Sequence, residues 1–219
     1  MNHSSRKERV GMNDISVREQ IVAAEWDMFQ ATHNKGGRAS CQDDYSTFFN
    51  MRMAQFDAWS DEAAESYLED LKAACDAGRN LVAEKYLHMM KNTHPAEYET
   101  QKCFLPIMSN EITALANAIC DEMIAQTIPL REAFPHVGES GRPLFSDTDM
   151  YGFTSVQTYQ LGELLTYSEN TLQLLKKHLF ALKAEGRSLA REILSRSICS
   201  YGFSSLDEAE AVASARAKN

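Results

Sequence analysis

Apolar positions recur at three- and four-residue steps along most of the chain. In VREQIVAAEWDMFQAT (17–32) they are Ile21, Val22, Trp26 and Phe29, the stripe of an amphipathic helix. A second stripe, Phe48, Phe49, Met51, Met53 and Phe56, follows a Ser46–Thr47 pair that can cap it. Ser60 caps a third, with Asp61 and Glu62 in the first turn, where the helix dipole favours negative charge. Its apolar face is Tyr67, Leu68, Leu71 and Ala74, and Gly78 stands where a left-handed C-cap belongs. Asn80 starts the next helix, and Pro95 suits the first turn of another. Residues 109–134 carry one long helical pattern with a break or kink expected at Pro129. Helices over about 154–166, 168–184 and 188–200 follow, and Ser205 with Glu208 reads as a capping box for a last short one. No stretch alternates as a strand does. Short apolar runs such as CFLPIM (103–108) are ambiguous by periodicity alone. The pattern predicts an all-α fold, a compact bundle of about nine or ten helices over 15–214 behind a flexible tail at 1–14.

Two stretches share one design. SDEAAESYLEDLKAACDAGRNLVAE begins at Ser60, SENTLQLLKKHLFALKAEGRSLARE at Ser168, and seven of their 25 positions are identical without a gap. Average residue usage gives about one or two matches by chance. Trp59 aligns with Tyr167 and Gln55 with Glu163. The shared order of cap, helix, Gly-Arg turn and helix reads as an internal duplication, with halves at about 17–92 and 109–200. The turn arginines, Arg79 and Arg187, are placed to pair with Glu84 and Glu192 and read as architectural.

The bulk numbers narrow the function classes. The 219 residues carry a net charge of −9, and acid in excess of base disfavours a general nucleic-acid binder. No apolar run approaches the length of a membrane span. The N-terminus has no apolar h-region and does not read as a secretory signal. Five scattered cysteines without a C-x-x-C pair fit a reducing cytoplasm better than a disulfide framework. Glu84–His88 and Glu132–His136 are four apart, but neither the Glu-x-x-His of di-iron bundles nor His-Glu-x-x-His occurs, so no metal site is expected. Trp26, Met28, Phe29, Met51, Met53, Phe56 and Trp59 could line a pocket, although such spacing is more often plain core.

The stretch NKGGRASCQDDYSTF (34–48) concentrates the reactive chemistry. Gly36 and Gly37 permit positive φ, and Asp43, Asp44 and Ser46 can cap, so a helix connection is one reading. The other is a site. Arg38 could hold a carboxylate or phosphate bidentately, Cys41 could act as a nucleophile, and Asp43 and Asp44 could bind a cation or move a proton. Gln42 would orient polar groups. A degenerate cousin, GRPLFSDTDMYGFTS, begins at Gly141 and adds Arg142 and Asp147.

The runs EWDMFQATHNKGGRASCQDDYSTFFNMRMAQFDAW, SYLEDLKAACDAGRNLVAEKY and LGELLTYSENTL resemble a bacterial family known only as a domain of unknown function, about two hundred residues long. The resemblance covers about residues 15–210. It implies a single cytoplasmic domain and brings no activity, cofactor or catalytic residue.

The expectation is a cytoplasmic protein whose polar pocket, between 36–47 and 141–154, takes a small anionic metabolite. Arg38 and Arg142 would hold the anion, and Cys41, Asp43 and Asp44 would supply any chemistry. The sequence names no reaction and no cofactor. The competing expectation is an interaction protein, docking a partner or forming a homodimer through its helical surface.

Overall fold

The structure is a computed structural model that describes residues 15–33, 37–139 and 141–217. The expected tail at 1–14 and Gly36 lie outside the described residues. Among those described there are eleven α-helices and no strand beyond one isolated bridge, Met150 to Phe153. The helices are α1 (Val17–Gln30), α2 (Tyr45–Phe56), α3 (Asp61–Asp76), α4 (Leu81–Thr93), α5 (Pro95–Gln101), α6 (Asn110–Ala133), α7 (Pro135–Glu139), α8 (Val156–Leu164), α9 (Glu169–Ala184), α10 (Leu189–Ser200) and α11 (Leu206–Ala217). The fold is all-α, as the periodicity predicts.

Most helix starts lie where capping residues place them. Ser16 and Glu19 form a reciprocal capping box on α1, and Ser60, Asn80 and Ser168 cap α3, α4 and α9. Three details differ from the sequence reading. Asp44, and not Ser46 or Thr47, caps α2: its Oδ1 accepts from Thr47 N at 3.0 Å, so the helix opens at Tyr45. The helix α6 continues through Pro129 to Ala133, because a proline removes one ladder bond without ending the packing around it. At α11, Ser205 Oγ does accept from Glu208 N, but the Glu208 carboxylate turns to Ser204.

The helices pack in a crossed arrangement. The central pair is α3 against α9, flanked by α1 on α3 and α6 on α9. Around it the chain exchanges elements: α2 packs on α10, and α4 packs on α8. The two Gly-Arg turns share a local conformation. Gly78 and Gly186 both adopt positive φ, 68° and 70°, the left-handed C-cap that glycine reaches without a Cβ clash. Arg79 and Arg187 then pair with Glu84 and Glu192 at 2.6 and 2.5 Å.

One apolar cluster fills the centre, from Ile21 and Val22 through Phe56, Tyr67 and Leu71 to Ile119, Leu172, Leu175 and Leu179. A smaller one, Leu130, Phe134, Ile198, Leu206 and Ala209, seats α11. At the α4–α8 crossing the backbones approach so closely that a Cβ on Gly162 would meet Met89 Cγ at 2.9 Å and the Lys85 carbonyl oxygen at 3.1 Å. That crossing carries Lys85 and Glu163, the charged residues on which the site is built.

Candidate functional site

Four charged side chains are buried together in the core: Glu25 from α1, Arg52 from α2, Lys85 from α4 and Glu163 from α8. Each lies on the apolar stripe of its helix, so folding carries it inward with its neighbours. Burying an ion costs several kcal/mol unless it is paired and hydrogen-bonded, and here every charge is. Arg52 forks onto Glu25 with two bonds of 2.6 Å, Nε to Oε2 and Nη2 to Oε1. Its Nη2 and Nη1 also donate to Glu163, at 2.9 and 3.2 Å. Lys85 Nζ donates to Glu163 Oε2 at 2.9 Å and to the Tyr159 hydroxyl at 2.6 Å. Tyr67 donates to Glu25, Tyr167 and Gln55 donate to Glu163, and Gln55 accepts from Arg52.

The electrostatics follow from this pairing. Burial pushes the Glu163 pKa upward, but the Arg52 and Lys85 charges outweigh it and hold it well below the ordinary carboxylate value. Burial likewise works against the charge on Arg52 and Lys85, and the facing carboxylates overcome it in both. Burial raises the Tyr67 and Tyr167 phenols, so both remain protonated donors. With two carboxylates and two cations, the cluster has no net charge.

A cavity of about 540 Å³ opens beside the cluster. Arg52, Gln55 and Glu163 reach its wall, and Phe48, Met51, Trp59, Met123, Leu175 and Ile193 make much of the remainder apolar. Tyr159, Gln160 and Arg142 add to the polar part, along with Asp44, Thr47 and Ser197. Gln160 Oε1 is buried with no hydrogen-bond partner among the described residues. Arg142 donates from Nη1 to the Thr154 carbonyl at 3.1 Å, and its guanidinium carbon stands 5.2 Å from the Tyr159 ring centroid. Among the described residues no carboxylate pairs with it.

The residues singled out in the sequence divide between this cavity and the loop before it. Cys41, Asp44 and Arg142 line the cavity, while Arg38, Gln42, Asp43 and Asp147 are not in its wall. Arg38 donates to Asp43 at 2.8 Å, to Gln30 Oε1 at 2.6 Å and to the Gln42 carbonyl at 2.8 Å, which ties the loop to α1. Gln42 is buried, and its Nε2 donates to the Phe29 and Thr32 carbonyls at the end of α1, satisfying groups that a helix terminus leaves open. Asp44 lines the cavity and also caps α2, and the Thr47 amide that it accepts lowers its pKa. Asp147 is exposed on the 3₁₀ turn Ser146–Thr148. Its neighbour Asp149 does the capping work instead, accepting from Ser155 N, Thr158 Oγ1 and Asn92 Nδ2.

No motif marks the cluster in the sequence. A signal was present: Glu25 continues Ile21 and Val22 and precedes Phe29, Arg52 lies four residues from both Phe48 and Phe56, and Lys85 falls between Leu81 and Met89. A charge on an apolar stripe announces a buried partner.

A second cavity of about 670 Å³ lies between α4, α6, α8 and the 102–108 segment. His88 is in its wall with Nε2 buried and unpartnered among the described residues. Burial and the nearby Lys91 charge push its pKa down to about 4, so the ring is neutral.

Comparison with known proteins gives one family. The profile of a family described as "Protein of unknown function (DUF4125)" matches residues 16–211. No curated protein and no solved structure matches the chain.

Proposed function

The chain belongs to DUF4125, a family whose name carries no activity, and we propose from the geometry that it binds a small anionic metabolite in the cavity between α2, α8 and α10. The observation that carries this reading is Arg142. The buried cluster balances its own charges, whereas Arg142 reaches the same cavity wall with a carbonyl and a ring as its contacts. A volume of about 540 Å³ suits a small ligand, and a mostly apolar wall with a few convergent polar groups is the usual make-up of such sites. Cys41, in the same wall, is the residue to test for covalent chemistry. The five cysteines are free thiols, which supports a reducing, cytoplasmic setting. Among the described residues no helix is long and apolar enough to cross a membrane. The matching caps, Gly-Arg turns and ion pairs of α3–α4 and α9–α10 support an origin by internal duplication.

The test is thermal unfolding with a panel of small organic acids and phosphates. A ligand held only by the native state stabilises it by about 2.7 kcal/mol at a hundredfold excess over its dissociation constant. The expected result is a compound that raises the melting temperature of the wild type and of Arg38→Ala, but not of Arg142→Met. A panel without any shift, or a shift that survives Arg142→Met, removes the reading.

A second reading rests on a different observation. Phe104 and Ile107 are exposed by 78% and 103% on the segment that follows α5, and exposed apolar groups at one place mark contact surfaces. That favours a homodimer. Sedimentation velocity checks it: Ile107→Asp should convert a dimer to monomer, and a wild type that is monomeric at high concentration removes it.

A further inference from the structure

Resting on the anion-binding reading above, we propose that the ligand is a hydrophobic monocarboxylic acid whose carboxylate is clamped between the Tyr159 hydroxyl and Arg142. The argument starts from the direction of one hydrogen bond. An ammonium group donates only, so in the 2.6 Å contact between Lys85 Nζ and Tyr159 Oη the phenol oxygen accepts. The Tyr159 proton is therefore turned away from Lys85. Tyr67 and Tyr167 spend their protons on Glu25 and Glu163, but among the described residues nothing accepts from Tyr159. Its ring is in the cavity wall, with the Arg142 guanidinium 5.2 Å from its centroid.

Arg142 has a complementary surplus. Its Nη1 is engaged with Thr154 O, which leaves the Nε and Nη2 donors. A phenol O–H and the N–H donors of a guanidinium 5.2 Å from the same ring's centroid, both without an acceptor among the described residues, match the two acceptor oxygens of a carboxylate. The charge of the wall selects a monoanion over a phosphate dianion. The cluster is balanced, Asp44 is negative at the α2 cap, and Arg142 supplies the one further cation among the lining residues. The rest of the ligand faces Met51, Met123, Leu175 and Ile193, side chains that take an aromatic or branched aliphatic body.

The pair 4-phenylbutyrate and 4-phenylbutanamide separates these contributions, since the two differ in the charged acceptor and little else. By titration calorimetry the acid should bind the wild type about tenfold or more tightly than the amide. Tyr159→Phe keeps the ring and should weaken the acid about tenfold and the amide, a neutral acceptor, clearly less. Lys85 retains Glu163 in that variant, and an unchanged urea midpoint confirms the fold. In the unmutated protein labelled at tyrosine Cζ, the acid should move the Tyr159 resonance further than the amide does at saturation. Equal binding of acid and amide, no binding of either, or an acid affinity indifferent to Tyr159→Phe overturns the proposal. If Arg142→Met weakens the acid and Tyr159→Phe does not, the anion pocket stands and the clamp falls. If neither variant matters, both fall.

Discussion

Removing Arg52 is the sharpest test of the buried cluster. Its guanidinium makes five hydrogen bonds, two to Glu25, two to Glu163 and one to Gln55. In Arg52→Met the packing volume is roughly kept, but Glu25 and Glu163 face a single remaining cation, Lys85. One negative charge is then buried without compensation. Breaking a buried pair in this way costs about 3–5 kcal/mol, against a total stability of about 5–15 kcal/mol for a domain. With a urea slope of about 2.5 kcal/mol/M, a loss of about 4 kcal/mol moves the unfolding midpoint down by about 1.6 M. Circular dichroism at 222 nm through a urea series reads this directly. The double variant Glu25→Gln, Arg52→Met restores the balance, with Glu163 against Lys85, and should recover about half of the loss or more. If the single variant costs less than about 1 kcal/mol, or the double costs the sum of its parts, the cluster is not held by charge compensation.

Two further outcomes follow from the same region. The folded-state pKa of Glu163 lies well below its ordinary 4.5, so the unfolded chain takes up this proton first. The contribution is complete above about pH 4.5 and is lost as pH falls beneath it, and Glu163→Gln should flatten the urea-midpoint profile in that range while lowering it at pH 7. Gly162→Ala should destabilise by about 1–3 kcal/mol even though alanine is the better helix former, because the new Cβ meets Met89 and the Lys85 carbonyl. Gly162→Ser should behave alike, and a midpoint unchanged in both would show that the α4–α8 crossing has slack.

The legible parts of this chain were those governed by local rules. Ser60, Asn80 and Ser168 cap as read, and Gly78 and Gly186 close their helices, because caps and left-handed turns are decided within a few residues. Asp44 shows the limit: four cap formers, Asp43, Asp44, Ser46 and Thr47, lie within five residues, and α2 starts after the 3₁₀ turn Ser40–Asp43 with Asp44 as its cap. The candidate loop is rich in reactive side chains, yet Arg38 and Gln42 satisfy carbonyls at the end of α1 and the turn before α2. Those partners are backbone groups, which leave no mark in a sequence. Arg142 meets Tyr159 because the 143–144 backbone folds back on the start of α8, where Val156 N and Gln157 N donate to the Pro143 and Leu144 carbonyls, whereas Glu163 reaches Arg52 across 111 positions. Contacts at that range are set by how helices cross.

Glu163 belongs to the later part of the chain and neutralises Arg52 and Lys85 of the earlier part. Electroneutrality at the centre of the molecule is thus a property of neither part alone. A polypeptide ending before α6 would carry two cations against Glu25, and the remainder would hold a carboxylate with no counter-ion. The balanced core therefore requires α8, since Glu163 is the ion that pairs with both Arg52 and Lys85.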